Sequence, residues 1–127
     1  MDQLLDERDI TRLLAQYCQF CDDGRFDELV DCFTPDAEFL YGSQAATGTA
    51  ALRDFFVAAQ PPERRGKHIT TNVVVEVEGD SATASSDFVF FARAGNELVV
   101  RVVGRYRDEL LRDAGTWRIQ RREAVPL

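Results

Sequence analysis

Residues 17–33, YCQFCDDGRFDELVDCF, carry the end of one helix, an acidic turn and the start of a second helix. Ile10, Leu13, Leu14, Tyr17, Cys18 and Cys21 follow the i, i+3, i+4, i+7 spacing of a buried helical stripe. The spacing predicts a helix over about Asp6 to Asp22. Asp22 falls four residues after Cys18 and eight after Leu14, so it continues the apolar stripe. A carboxylate there loses water and faces the negative end of the helix dipole. A local violation of this kind is expected where a residue serves function. The alternative is that Asp22 only belongs to the turn Asp22-Asp23-Gly24, where Asp and Gly are common.

Outward from this stretch, Phe26, Leu29, Val30 and Phe33 give a second buried stripe and predict a helix from Phe26 to Phe33, stopped by Thr34-Pro35-Asp36. A short extended piece, Ala37 to Tyr41, and a loop from Gly42 to Gly48 follow. Thr49 is placed to cap a third helix, Ala50 to about Ala59, which buries Leu52, Phe55 and Phe56. Beyond the charged loop Glu63 to Lys67 the pattern becomes β. Ile69, Thr71, Val73, Val75 and Val77 alternate with polar residues. Gly79-Asp80, Gly95-Asn96 and Asp113-Ala114-Gly115 separate four long strands: Ile69–Val77, Ala82–Arg93, Glu97–Leu111 and Trp117–Ala124. Antiparallel strands of this length must twist and curl. The expected fold is α+β: a strongly curved, mainly antiparallel sheet wrapped around three N-terminal helices as a cone-shaped, half-open barrel with a pocket between the layers.

Composition bounds the function. The chain has 127 residues, enough for one domain, 1–127, with a real core. Its net charge of −7 argues against general binding of nucleic acid or anionic membrane. The apolar runs are too short for a membrane span, and the acidic start MDQLLDERD is unlike a signal peptide, so a cytoplasmic location is expected. Nine Phe suggest an aromatic-lined interior. Cys18, Cys21 and Cys32 are expected as reduced thiols. With a single His and no second Cys pair, no metal site is expected; no organic cofactor is expected either. The strand Leu98-Val99-Val100-Arg101-Val102-Val103-Gly104 is apolar on both faces. One face meets the helices. The other is expected to be covered by a second copy in a homodimer, or shielded by the stems of Arg101, Arg105 and Arg107.

Taken in order, the motifs resemble a known family. Tyr17-x4-Asp22-x-Gly24-x-Phe26-Asp27-x-Leu29 comes first, and His68-x3-Asn72 precedes the first long strand. Gly104-Arg105-Tyr106-x-Asp108-Glu109-Leu110 and Trp117-Arg118-Ile119 close the set. This order resembles the SnoaL-like branch of the nuclear transport factor 2-like superfamily. The resemblance implies the cone-shaped α+β barrel, dimerisation through the outer sheet face, and members that include dehydratases, isomerases, cyclases and non-catalytic proteins. In scytalone dehydratase and in hexachlorocyclohexane dehydrochlorinase an Asp ending helix one pairs with a His before the first long strand. Asp22 and His68 match those positions, and Tyr41 matches a water-holding tyrosine of the dehydratase. Cys21 stands where the dehydratase has a further tyrosine. Its second histidine has no counterpart, and the lysine that the dehydrochlorinase carries on helix one is absent here.

An imidazole is the natural base for proton abstraction near neutral pH, and an Asp on its other nitrogen fixes the tautomer. The resemblance therefore implies a lyase or isomerase reaction on a small apolar or aromatic molecule, with His68, Asp22 and Tyr41 as catalytic residues. Tyr17, Phe20, Phe33, Phe39, Phe55, Asn72 and Phe88 are the expected substrate-binding residues. Non-catalytic ligand binding, or a structural-subunit role, is the alternative on the same scaffold. One conflict stands in the pattern. By strict alternation His68 shares a face with Thr70, Asn72, Val74 and Glu76, opposite the apolar Ile69, Val73, Val75 and Val77. His68 can face inward only if the chain bulges, or if the strand proper begins after it.

Overall fold

A computed structural model describes residues 2–127. Three helices come first, α1 (Asp2–Asp23), α2 (Phe26–Asp31) and α3 (Thr49–Ala59), with strands β1 (Phe33–Tyr41) and β2 (Gln44–Thr47) between the last two. After a 3-10 turn at Pro62–Arg64 come β3 (Lys67–Glu78), β4 (Ser81–Ala94), β5 (Glu97–Asp113) and β6 (Thr116–Pro126). The six strands form one sheet in the order β2-β1-β6-β5-β4-β3. Only β1 and β6 run parallel; the other pairs are antiparallel. Its edge strands, β2 and β3, do not pair with each other, so the sheet is curled around the helices and not closed.

α1 presents Ile10, Leu14, Tyr17, Cys18 and Cys21 to the sheet, all buried. Its end is a Schellman motif. The N–H of Gly24 donates to the carbonyl of Cys21 at 3.3 Å, and that of Arg25 donates to the carbonyl of Phe20 at 2.9 Å. Gly24 takes φ +69°, which only glycine adopts without steric cost. At the other end, buried Asp6 accepts from Arg112 Nη1 at 2.6 Å and from Trp117 Nε1 at 3.1 Å. Arg112 also stacks over the Trp117 ring and bonds Asp80. Asp6 thus ties α1 to the end of the β5–β6 hairpin, which Arg112 in turn links to the β3–β4 turn at Asp80.

The structure corrects three boundaries. α2 ends at Asp31, and Phe33 opens β1 instead of closing the helix. Pro35 lies inside that strand, where the β1–β6 register is irregular between Phe33 and Glu38 and no regular ladder is interrupted. The stretch read as a loop contains β2, which hairpins back on β1 through Gly42-Ser43, with Tyr41 opposite Gln44. Gly48, not Thr49, is the N-cap of α3, and no side chain caps it.

Candidate functional site

Asp22 lies in the last turn of α1, on the face packed against the sheet, and is buried. Its Oδ1 is 2.5 Å from Nδ1 of His68, and the His68 backbone N–H also donates to Oδ1 and Oδ2 at 3.2 and 3.0 Å. The carboxylate therefore fixes both the ring and the start of β3. With Nδ1–H donated to Asp22, Nε2 is the ring nitrogen left with a free lone pair. The His68 side chain is only 10% exposed and packs on the Phe90 ring at 4.5 Å between centroids. Gly66 lets this segment approach β4: a Cβ there would lie 1.9 Å from the carbonyl oxygen of Phe91.

His68 lines a cavity of about 240 Å³ between the helices and the inner sheet face. Tyr17, Phe39, Tyr41, Phe55 and Phe88, all expected from the sequence, line it too. So do Cys21, Gln44, Phe56, Gln60, Phe90, Val102 and Tyr106, whose part was not expected. The interior alternation Tyr106, Asp108, Leu110 along β5 was the available signal for Tyr106. Asp22 stands behind His68, in the wall between this cavity and a surface groove lined by α1 and β3. Burial raises the hydroxyl pKa of Tyr41, and burial raises those of Tyr17 and Tyr106 far more. All three therefore stay protonated and able to donate.

Three expected ligand-lining residues are elsewhere. Phe33 is buried one layer back, edge-on to Tyr17 and Phe39 at 6.0 and 6.5 Å. Phe20 is half-buried on the flank of α1, with the Arg25 guanidinium 5.0 Å from its ring centre. It falls between the stripe positions Tyr17 and Cys21, so helical geometry turns it off the cavity. Asn72 is exposed on the outer sheet face, where Nδ2 donates to Asp87 Oδ2 at 2.8 Å. The extra residue in β3 between Thr71 and Val74 sets it on the opposite face from His68 and Thr70.

Beneath the cavity floor lies a charge pair that the sequence did not reveal. Arg122 is fully buried, bidentate to Asp108 at 2.7 and 2.9 Å, and lies over Tyr106 and Tyr17 at 3.7 and 4.3 Å from their ring centres. Regular alternation from Trp117 and Ile119 would point Arg121 inward. A register shift between Ile119 and Arg121 turns Arg122 in instead. Burial opposes its charge, but Asp108 more than compensates and holds its pKa above the ordinary value.

The three thiols are free and buried. Cys18 Sγ is 3.1 Å from Thr70 Oγ1. Burial raises all three pKa values, with Cys32 pushed up to about 12. Among the described residues no group of three or more His, Cys, Asp or Glu is placed to hold a metal ion. Nor is any described helix long and apolar enough to cross a membrane.

Residues 2–123 match the family model described as a SnoaL-like domain. The chain is 32% identical to an uncharacterized protein of Mycobacterium tuberculosis over 94% of its own length and 84% of the relative's. It superposes with a TM-score of 0.95 on a protein of unknown function from the same organism, at 30% identity, covering 99% of this chain and 74% of that one. A scytalone dehydratase-like protein of Novosphingobium aromaticivorans superposes with a TM-score of 0.87 at 25% identity, covering 98% and 86%. On the match across nearly its whole length, and on a fold shared with these proteins, this chain belongs to the SnoaL-like family of the nuclear transport factor 2-like superfamily.

Proposed function

We propose that the protein is a lyase or isomerase that removes a proton from a small, largely apolar or aromatic molecule, with His68 as the base. The observation that carries this reading is the Asp22–His68 pair in the wall of an aromatic cavity. Nε2 takes the proton beside an activating group. Asp22 holds the ring in the required tautomer and stabilises the imidazolium that forms. Tyr41, protonated at the cavity wall, donates to a developing oxyanion or to the leaving group. Tyr17, Phe39, Phe55 and Phe88 supply most of the binding surface. A cavity of about 240 Å³ falls just below the roughly 300–1,000 Å³ of drug-sized sites, which favours a one- or two-ring substrate.

A second reading is ligand binding without turnover. It is favoured by the bonds from the His68 backbone N–H to Asp22, which give the carboxylate a purely structural task. A screen of apolar hydroxy-ketones, halides and phenols for elimination or isomerisation separates the two. Turnover by the wild type that His68→Ala lacks supports the first. Tight binding of such compounds without turnover of any of them supports the second.

We also propose that two copies pair through the outer sheet face. Ile69, Val74, Leu98, Val100, Val103 and Val125 are exposed on the long strands and at their ends, and a second copy would cover an apolar face of this extent.

A further inference from the structure

β3 contains one residue more than its partner strand accommodates. Near its start, His68 opposite Phe90 and Thr70 opposite Phe88 face the interior. Near its end, Val75 opposite Ala84 and Val77 opposite Ala82 do so. Between Thr71 and Val74 β3 advances three residues while β4, from Asp87 to Ser85, advances two. Asn72 falls within this step, with φ +52°. Asn is among the few non-glycine residues that visit this left-handed region readily.

A regular strand would resolve the same sequence differently. Continuing the alternation of Val77, Val75 and Val73 without a bulge turns Thr71 and Ile69 inward, and His68, Thr70 and Asn72 outward. A shift of one residue flips every side chain to the other face. That register buries Ile69, which is 50% exposed in the observed one. The observed register instead secures the His68–Asp22 pair, the Cys18–Thr70 contact and the packing of His68 against Phe90. On the outer face Asn72 is held by Asp87, whose other oxygen accepts from Arg105 Nε at 2.8 Å. One side-chain cluster thus spans β3, β4 and β5 at the bulge.

We propose that Asn72 is a positioning residue for His68: its left-handed backbone, anchored through Asp87 to Arg105, selects the register of β3 that turns His68 into the cavity. Asn72 touches neither the cavity nor Asp22; it acts through the strand. The effect on turnover rests on His68 being the base, but the effect on His68 itself does not. A readout of the ring therefore separates failure of this inference from failure of the catalytic reading.

The chain has a single His, so its ring signals are unambiguous in a nitrogen-edited NMR spectrum. The measurement is the intensity of the low-field Nδ1–H resonance of the Asp22-bonded imidazole, with circular dichroism as the check on folding. Asn72→Gly keeps the left-handed backbone and should keep the resonance. Asn72→Val opposes that backbone and should move the balance of registers about tenfold or more toward the slipped form, with loss of the resonance in a folded protein. If Asn72→Val does not fold, Asn72→Ala makes the same comparison at lower cost, and a partial loss is expected. Wild-type intensity in a folded Val or Ala variant would overturn the proposal. So would equal loss in the Gly variant.

Discussion

Replacing Asp108 by Asn tests the buried centre of the molecule. Arg122 has no solvent-exposed side-chain surface, and among the described residues its only anionic partner within ion-pair distance is Asp108, at 2.7 Å. Asn keeps the shape of Asp but removes the charge and one of the two acceptors for the guanidinium. The ring faces of Tyr17 and Tyr106 remain against the cation, but a face contact does not replace a bidentate carboxylate. Breaking one side of a fully buried pair costs about 3–5 kcal/mol. For a chain of this size about 4 °C of Tm is lost per kcal/mol, so Tm should fall by roughly 12–20 °C. The assay is thermal and urea unfolding followed by circular dichroism. The double replacement Asp108→Leu with Arg122→Met should recover most of the loss, because it leaves no uncompensated charge. A single-variant cost below about 1 kcal/mol would show that water or a neighbouring group relieves the cation, and would refute the reasoning.

Two other outcomes are expected. Because burial lifts the three thiols above their unfolded values, the folded state binds more protons than the unfolded state once the pH exceeds the free thiol value. Stability should then fall with rising pH above about 8.5, by up to about 1.4 kcal/mol per pH unit for each thiol, and iodoacetamide at pH 8 should label none of the three until the protein is unfolded. A Tm that rises from pH 8.5 to 10, or rapid native labelling, would contradict this. Light scattering at micromolar concentration should report twice the 14.3 kDa chain mass, and Val103→Asp on the outer face of β5 should restore the monomer; a monomeric wild type would remove the proposed pairing.

The sequence carried the fold well where one face of an element is buried and the other wet. The stripe ending at Asp22 and the alternation of the four long strands are simple periodic signals, and the elements formed on them. Simple alternation fails where an extra residue breaks the period. The bulge that an inward His68 requires was legible as a conflict in the pattern and is present, but its position at Asn72, which leaves Asn72 on the outer face, was not legible; nor was the shift before Arg121 that buries Arg122 in place of its neighbour. Bulges have weak local signatures, because one residue in a left-handed or compressed conformation suffices to make them. The short β2 was missed for another reason. With Ala46 its only buried residue, β2 has almost no hydrophobic pattern, and its pairing with β1 decides it. Asp22 was legible because a carboxylate on an apolar helical stripe conflicts with its surroundings; its partner His68 entered through the family resemblance.

The role of the pair is tested most directly by turnover of one active substrate by the wild type, His68→Ala and Asp22→Asn, with ligand affinity measured alongside. His68→Ala should lose about 10²–10⁴-fold or more in kcat. Asp22→Asn should lose most of the rate while keeping its fold, because an amide can select the wrong tautomer and cannot stabilise the imidazolium. Affinity should change far less than rate, since binding rests on the aromatic walls. Turnover at the wild-type rate by both variants would contradict the assignment and leave Asp22 and His68 as structural residues.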